Sequence, residues 1–203
     1  MRSLLPFSCI AMLGFALLLA GCAQTGQQVR LDPQPDTPEE TVGGGVAVSV
    51  TGADARPDRR LGVLENRRSE DAEVTTEQDL GELMAEVVAG TLRARGFEAS
   101  AAGDTADRRL EVRVQGIEHR VSSQMPRRVE TRVELAFEAH NGDQRITGRN
   151  RHTRSDSLSG RPGPEENAAY IDAAIVGALE RLLTDEMLRF LAQPSTHTPT
   201  RRP

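Results

Sequence analysis

From Val129 to Ala139 every second residue is apolar or threonine. Val129, Thr131, Val133, Leu135, Phe137 and Ala139 alternate with Glu130, Arg132, Glu134, Ala136 and Glu138. A period of two over this length is the pattern of a strand with one face in a core and the other in water. Asn141-Gly142 follows, a dipeptide suited to the tight turn of a hairpin. The segment after it, from about Gln144 to Ser155, is polar, with Ile146 its clear apolar residue, and fits a partly solvated strand. Upstream, Leu110, Val112 and Val114 alternate with Glu111, Arg113 and Gln115, and Val46, Val48 and Val50 share one face of another strand. Short strands are predicted at Leu61–Leu64, inside the turn-rich stretch 51–68, and at Phe97–Ala99.

Two amphipathic stretches supply cover for such a sheet. Leu80, Leu83, Met84, Val87, Val88, Thr91 and Leu92 fall on one face of a helix. Thr75 with Gln78 has the spacing of a capping box at its start, and Gly96 is placed to end it. Gly81 and Gly90 lie inside this helix and each weakens it by about 1 kcal/mol against alanine. The second stretch begins near Pro164, with Glu165 and Glu166 in its first turn, where acids complement the helix dipole. Its apolar face is Ala168, Ile171, Ile175, Ala178, Leu179, Leu182 and Leu183, and it runs to about Ala192, before Pro194. The pattern predicts an α+β two-layer sandwich: a mainly antiparallel sheet of about four to six strands with two amphipathic helices on one face.

Residues 1–21 have the parts of an export signal. Arg2 is followed by an almost wholly apolar run from Leu4 to Ala20, then by small residues at a cleavage point. The run is about 17 residues, at the lower limit for crossing a hydrocarbon core about 30 Å thick. Leu19-Ala20-Gly21-Cys22 matches the bacterial lipobox. That signal predicts a diacylglyceryl group on the Cys22 sulfur, cleavage that leaves Cys22 first, and acylation of its amine. Each buried CH₂ contributes about 0.8 kcal/mol, so three chains anchor firmly where one holds marginally. The other cysteine, Cys9, leaves with the signal, so the mature chain has neither a free thiol nor a disulfide. Ala23, rather than aspartate, after Cys22 points to the outer membrane with the domain facing the periplasm.

Residues 22–45, with several glutamines, Pro33, Pro35, Pro38 and the run Gly43-Gly44-Gly45, are predicted to be a flexible tether that lifts the domain off the membrane. Residues 46–193 then form one domain, and 194–203 a disordered tail. Without residues 1–21 the basic residues fall from 25 to 24 against 30 acids, a net charge of −6, and every basic residue is arginine. With one Tyr, five Phe and no Trp, the chain also has few stacking platforms, and no nucleic acid is expected as a partner.

A lipobox, a proline-rich stretch and Val46-Ala47-Val48-Ser49-Val50-Thr51-Gly52-Ala53-Asp54-Ala55-Arg56 follow in order. Next come a helix ending in Arg95-Gly96-Phe97, three strands, and a last helix ending in Arg189-Phe190-Leu191. This arrangement resembles the YajG-type bacterial lipoproteins over essentially the whole chain, most specifically in Gly52-Ala53-Asp54-x-Arg56. The resemblance implies an envelope location and this fold, and no particular activity.

Few groups suggest catalysis. The histidines are His119, His140, His152 and His197, and none of the HExxH, CxxC or GxSxG motifs occurs. His140 and His152 flank the hairpin turn and would need a third ligand to hold a metal. No catalytic residue, cofactor or metal is expected. Two surfaces are candidates for binding. One is the loop carrying Asp54, Arg56, Asp58 and Arg59, unless Asp54 and Arg56 serve only to shape the turn. The other is a basic face of Arg127, Arg128, Arg132, Arg145, Arg149 and Arg151, with Arg154 nearby, which would meet acidic envelope material unless Glu130, Glu134 and Glu138 neutralise it across strands. The expectation is a non-enzymatic accessory domain that binds an envelope protein or polymer. The alternatives are a carrier holding an acyl chain between helices and sheet, and, more distantly, a hydrolase of envelope polymers.

Overall fold

The structure, a computed structural model, describes residues 26–36, 40–101 and 106–195; Cys22, the export signal and residues 196–203 lie outside the described residues. In chain order the elements are β1 (Gln27–Gln28), β2 (Ala47–Asp54), β3 (Gly62–Leu64), β4 (Ala72–Thr75), α1 (Leu80–Ala94), β5 (Glu98–Ser100), β6 (Arg108–Val121), β7 (Arg127–Asn141), β8 (Gln144–Leu158), α2 (Pro164–Leu182) and α3 (Asp185–Ala192).

The long alternation becomes β7, at the centre of an antiparallel meander β6-β7-β8. Leu110, Val112 and Val114 face Ala139, Phe137 and Leu135. After a bulge between Val114 and Gly116, Ile117, His119 and Val121 face Val133, Thr131 and Val129. These side chains form the buried face. α1 packs on it over β2, β5 and β6, α2 over β7 and β8, and α3 at the end of β7. The core is Leu80, Met84, Val88 and Leu92 of α1 and Ile171, Ile175, Leu179 and Leu182 of α2, closed by Met187, Leu188 and Leu191 of α3. Both predicted helices lie on one face of the sheet, as expected.

The sheet itself is larger than predicted and mixed. Eight described strands form it, and the far edge of β6 carries two strands in line, both parallel to it: β2 along Arg109–Val114 and β3 along His119–Val121. β5 lies parallel beside β2, and β4 and β1 extend the sheet beyond β3. Alternation reports which face a residue takes and carries no information on strand direction. The parallel pairs of β2 with β5 and β6, and of β3 with β6, come from the crossover through α1. The last helix also differs from the expectation. Leu183 and Thr184 interrupt it, because the Thr184 hydroxyl accepts from the Met187 amide (3.3 Å) and starts α3 afresh.

The predicted tether is corrected most. β1 pairs with β4, and Val29 and Leu31 are 3% and 1% exposed, so the fold takes hold of the chain at Gly26. Gln78 does not cap α1. Its side-chain carbonyl accepts from the Leu31 amide (2.6 Å) and its amide donates to the Leu31 carbonyl (2.9 Å), so it clamps this strap as a strand would. Asp79 caps α1 instead, accepting from the Glu82 amide (3.0 Å). Gly43 sits so close to the Gly96–Phe97 backbone that a Cβ would overlap it, and Gly44 and Gly45 take φ of 55° and 74°. These glycines shape a turn into β2.

Farther along the strap, the Asp32 amide donates to both carboxylate oxygens of Asp172 on α2 (3.1 Å each). Burial pushes Asp172 up to about 6; the Asp32 amide opposes this and the Asp32 carboxylate adds to it. The folded chain therefore binds this proton more tightly than the unfolded one. The stability it contributes is complete below the unfolded value near 3.8 and is lost as pH rises through about 6. Asp172→Asn keeps an acceptor for Asp32 and removes the charge. It should raise stability at pH 7.5 by about 1 kcal/mol, after discounting for solvent, and by much less at pH 4. Urea unfolding at the two values checks this, and an equal effect at both would contradict it.

Candidate functional site

His140 and His152 stand on opposite faces of the sheet. His140 points outward and bonds Glu138 (2.8 Å), whereas His152 points inward, where it fills the space beside Gly177 of α2. The hairpin cannot bring them together, because their register differs by an odd number of positions. Among the described residues, no group of three His, Cys, Asp or Glu is placed to hold a metal ion. Arg127 does not join the basic face. Its guanidinium donates to the Ser122 carbonyl (2.8 Å) at the end of the strand.

The other predicted arginines, Arg128, Arg132, Arg145, Arg149 and Arg151, do lie on the exposed face, interleaved with acids. Glu134 pairs with Arg149 and with Arg151 (2.9 Å). Arg132 pairs with Glu118 (3.2 Å) and Glu130 (3.7 Å), and Arg145 with Glu138 (3.5 Å). The His140 hydrogen bond, more than the neighbouring arginines, holds the Glu138 carboxyl below its usual range against some desolvation. This face is a ladder of opposite charges across strands, not a bare basic patch.

In the Asp54–Arg60 loop, Arg56 is fixed. Its Nε and Nη2 donate to the two Asp54 oxygens (2.8 Å each), its amide donates to Asp54 Oδ1 (3.2 Å), and its Nη1 reaches the Arg60 carbonyl (3.3 Å). The Arg56 side chain is only 3% exposed. Its hydrogen bond holds the Asp54 carboxyl below the usual range, against burial. A bidentate pair of this kind sets the loop's shape. Asp58 accepts from the Arg60 amide (2.9 Å) and pairs with its side chain (3.2 Å), and Arg59 stands exposed.

This loop is the detour the chain makes between β2 and β3 while both run along β6. The bulge at Val114/Gly116 lies opposite the gap. The result is a cleft of about 400 Å³. The loop residues Arg56, Asp58 and Arg60 form one wall, Gln115–Ile117 contribute to its lining, and Glu118, Glu130, Arg132 and Glu134 of the charged face form the other wall. The two surfaces predicted separately adjoin at this cleft, where Arg56 and Asp58 of the one and Arg132 of the other share its lining. The bulge that opens the cleft was not legible, since Gln115-Gly116 continues the polar–apolar rhythm until Ile117 shifts it by one.

Sequence reasoning also missed a buried polar network on the opposite face. His119, Thr131 and Asn167 are 1%, 2% and 0% exposed. His119 Nδ1 lies 2.8 Å from the Thr131 hydroxyl and Nε2 lies 2.9 Å from the Asn167 carbonyl oxygen. Asn167 donates to Gln27 (2.6 Å) and faces the Pro162 carbonyl (3.4 Å). Asn167 thus uses its amide elsewhere, so His119 Nε2–H donates to its oxygen and Nδ1 accepts from Thr131. Burial lowers the His119 pKa, the Asn167 hydrogen bond opposing it, and the ring is neutral. The signal was a histidine and a threonine at positions where the alternation calls for apolar side chains.

An acyl chain between helices and sheet would need room. The gap among Leu80, Leu83, Met84, Val114, Ile117, Leu135 and Ile175 has none, not even for a water molecule. Among the described residues, no helix is long and apolar enough to cross a membrane.

Residues 33–192 match the model of a family described as an uncharacterised lipoprotein. The chain belongs to that lipoprotein family. A search among curated proteins found no match. A crystal structure of a Xanthomonas campestris protein of the DUF330 family is 18% identical, with a TM-score of 0.49, covering 82% of this chain and 93% of that one. A PelC dodecamer from Paraburkholderia phytofirmans is 19% identical, with a TM-score of 0.37, covering 74% of this chain and 97% of that one.

Proposed function

We propose that this lipoprotein is held in the outer membrane by acyl chains on Cys22 and presents to the periplasm a non-enzymatic domain that binds an envelope protein or polymer. The lipobox and the family assignment support the anchor. The cleft between the Arg56–Arg60 loop and the charged strands carries the binding reading, because a rigid loop and an array of fixed charges meet there. Charges already paired in this way select a partner of complementary pattern more than they add affinity.

The reading predicts that Cys22→Ser leaves an unprocessed, unacylated chain, seen by intact mass. A photo-crosslinker at Arg59 in the wild-type background should capture a discrete envelope partner. The same crosslinker at Glu86, exposed on α1 and outside the cleft lining, should not. Capture from both positions alike, or from neither, would contradict the cleft as the binding site, and acylation unaffected by Cys22→Ser would contradict the anchor.

A further inference from the structure

We propose that one end of the domain lies directly on the phospholipid leaflet that carries the acylated Cys22, through the loops β3–β4, β6–β7 and β8–α2. The inference rests on the lipid anchor proposed above. Its starting point is where the fold takes hold of the chain. Gly26 already packs against the Glu73 backbone, with a Cβ there only 3.0 Å from the Glu73 carbonyl oxygen, and Gln27 is paired in the sheet. Four Cα–Cα steps separate Cys22 from Gly26, a reach of at most about 14 Å. A leash that short cannot hold the domain clear of the headgroups.

The topology fixes which end is near. β1 runs parallel to β4, so the chain enters at the end where β4 begins. β3 and β6 finish at that end, β7 begins there and β8 finishes there. Side-chain bonds join the three loops. The Gln27 side chain donates to the Pro162 carbonyl (3.3 Å), Arg161 bonds Asn66 (3.1 Å), and the Ser123 amide donates to Glu65 (3.3 Å). The opposite end, at the Asn141–Gln144 turn, is roughly 45 Å away along β7.

The chemistry of this end fits a lipid surface. Met125, at the tip of the β6–β7 loop, is 60% exposed, the one large apolar side chain so exposed among the described residues. Arg67 and Arg68 stand exposed in the β3–β4 loop and Arg128 at the start of β7, and Arg127 and Arg161 lie close enough to repel one another. The acids of this end are largely committed. Glu65 pairs with Arg120 (3.0 Å), Asp71 accepts the Asn66 amide (3.0 Å), and Glu166 accepts the Gly163 amide (2.9 Å), which leaves Glu70 and Glu165. Guanidinium groups meet anionic headgroups, and a flexible thioether enters the interface at little cost in shape.

The mature chain has no free thiol once Cys22 is acylated, so Met125→Cys and Gln144→Cys each accept a single fluorophore. The acylated full chain is placed in vesicles of phosphatidylethanolamine with a minority of phosphatidylglycerol, containing a headgroup spin-labelled lipid. Quenching at position 125 should exceed that at 144 by about threefold or more. In the Met125→Cys background, Arg67→Glu with Arg68→Glu should roughly halve it. Equal quenching at both positions in a chain whose mass shows the acyl groups would overturn the inference and leave the anchor standing. A mass without acyl groups would overturn the anchor itself, and this inference with it.

Discussion

Gly52→Ala should destabilise the domain by roughly 3 kcal/mol, a loss of about 10 °C in Tm. Gly52 lies in β2, directly beneath the first turn of α1. A Cβ on it would penetrate the Gly81 carbonyl oxygen, and one on Gly81 would come within 2.9 Å of the Gly52 oxygen. Both obstacles are backbone, which cannot rotate away as a side chain could. The two glycines let helix and strand approach closely where α1 begins. That approach also fixes the line of β2 into the Asp54–Arg56 turn, and so the wall of the cleft. Gly90→Ala is the control. It sits in the same helix with only the Arg93 guanidinium near, at 3.9 Å, and should stabilise by about 0.5–1 kcal/mol through propensity alone. Thermal unfolding of both variants decides the matter. A Gly52→Ala protein as stable as the parent would mean that α1 shifts at no cost.

The glycines illustrate what the sequence discloses and what it hides. Period-two patterns fix which face of β6 and β7 is buried, and the 3.6-residue stripes do the same for α1 and α2, since burial acts residue by residue. Gly81 is legible only as a flaw in a helix, because its reason lies in a strand nearly thirty positions away. The strap was misread for a related reason. Prolines, glutamines and three glycines have the composition of a linker, yet Val29 and Leu31 are buried in the core, and Gln78 supplies the backbone bonds that a strand would otherwise provide. The direction of β2 against β6 was hidden as well, since a parallel pair is decided by the path between strands. Of the candidate site, the fixed Asp54–Arg56 pair was legible from spacing. The cleft was not, because it needs β2 and β3 to share one edge of β6 with a bulge opposite the gap.

Asn167→Ala should cost about 3 kcal/mol, from the buried partners it strands more than from the contacts it loses. His119 Nε2–H, Gln27 and the Pro162 carbonyl all turn to this one amide, and no water has access to replace it. The network joins β6, β7, the start of α2 and the strap, so its loss should be felt beyond α2. The strap should open, and limited proteolysis should cut first near residues 26–31. His119→Leu with Asn167→Ala should cost less than the sum of the two single changes, because the leucine removes the donor that Asn167→Ala strands. The network also opposes Asp172 in its response to acid. The neutral His119 ring resists the proton that an unfolded chain takes up near 6.5, so its contribution is present above that value and is lost as pH falls below it. Stability should therefore fall between pH 7 and 5 more steeply in Asp172→Asn, where His119 and the inward-facing His152 act without the aspartate, than in the parent, where the aspartate compensates. If the two slopes were the same, Asp172 would not take part in the acid response of this fold.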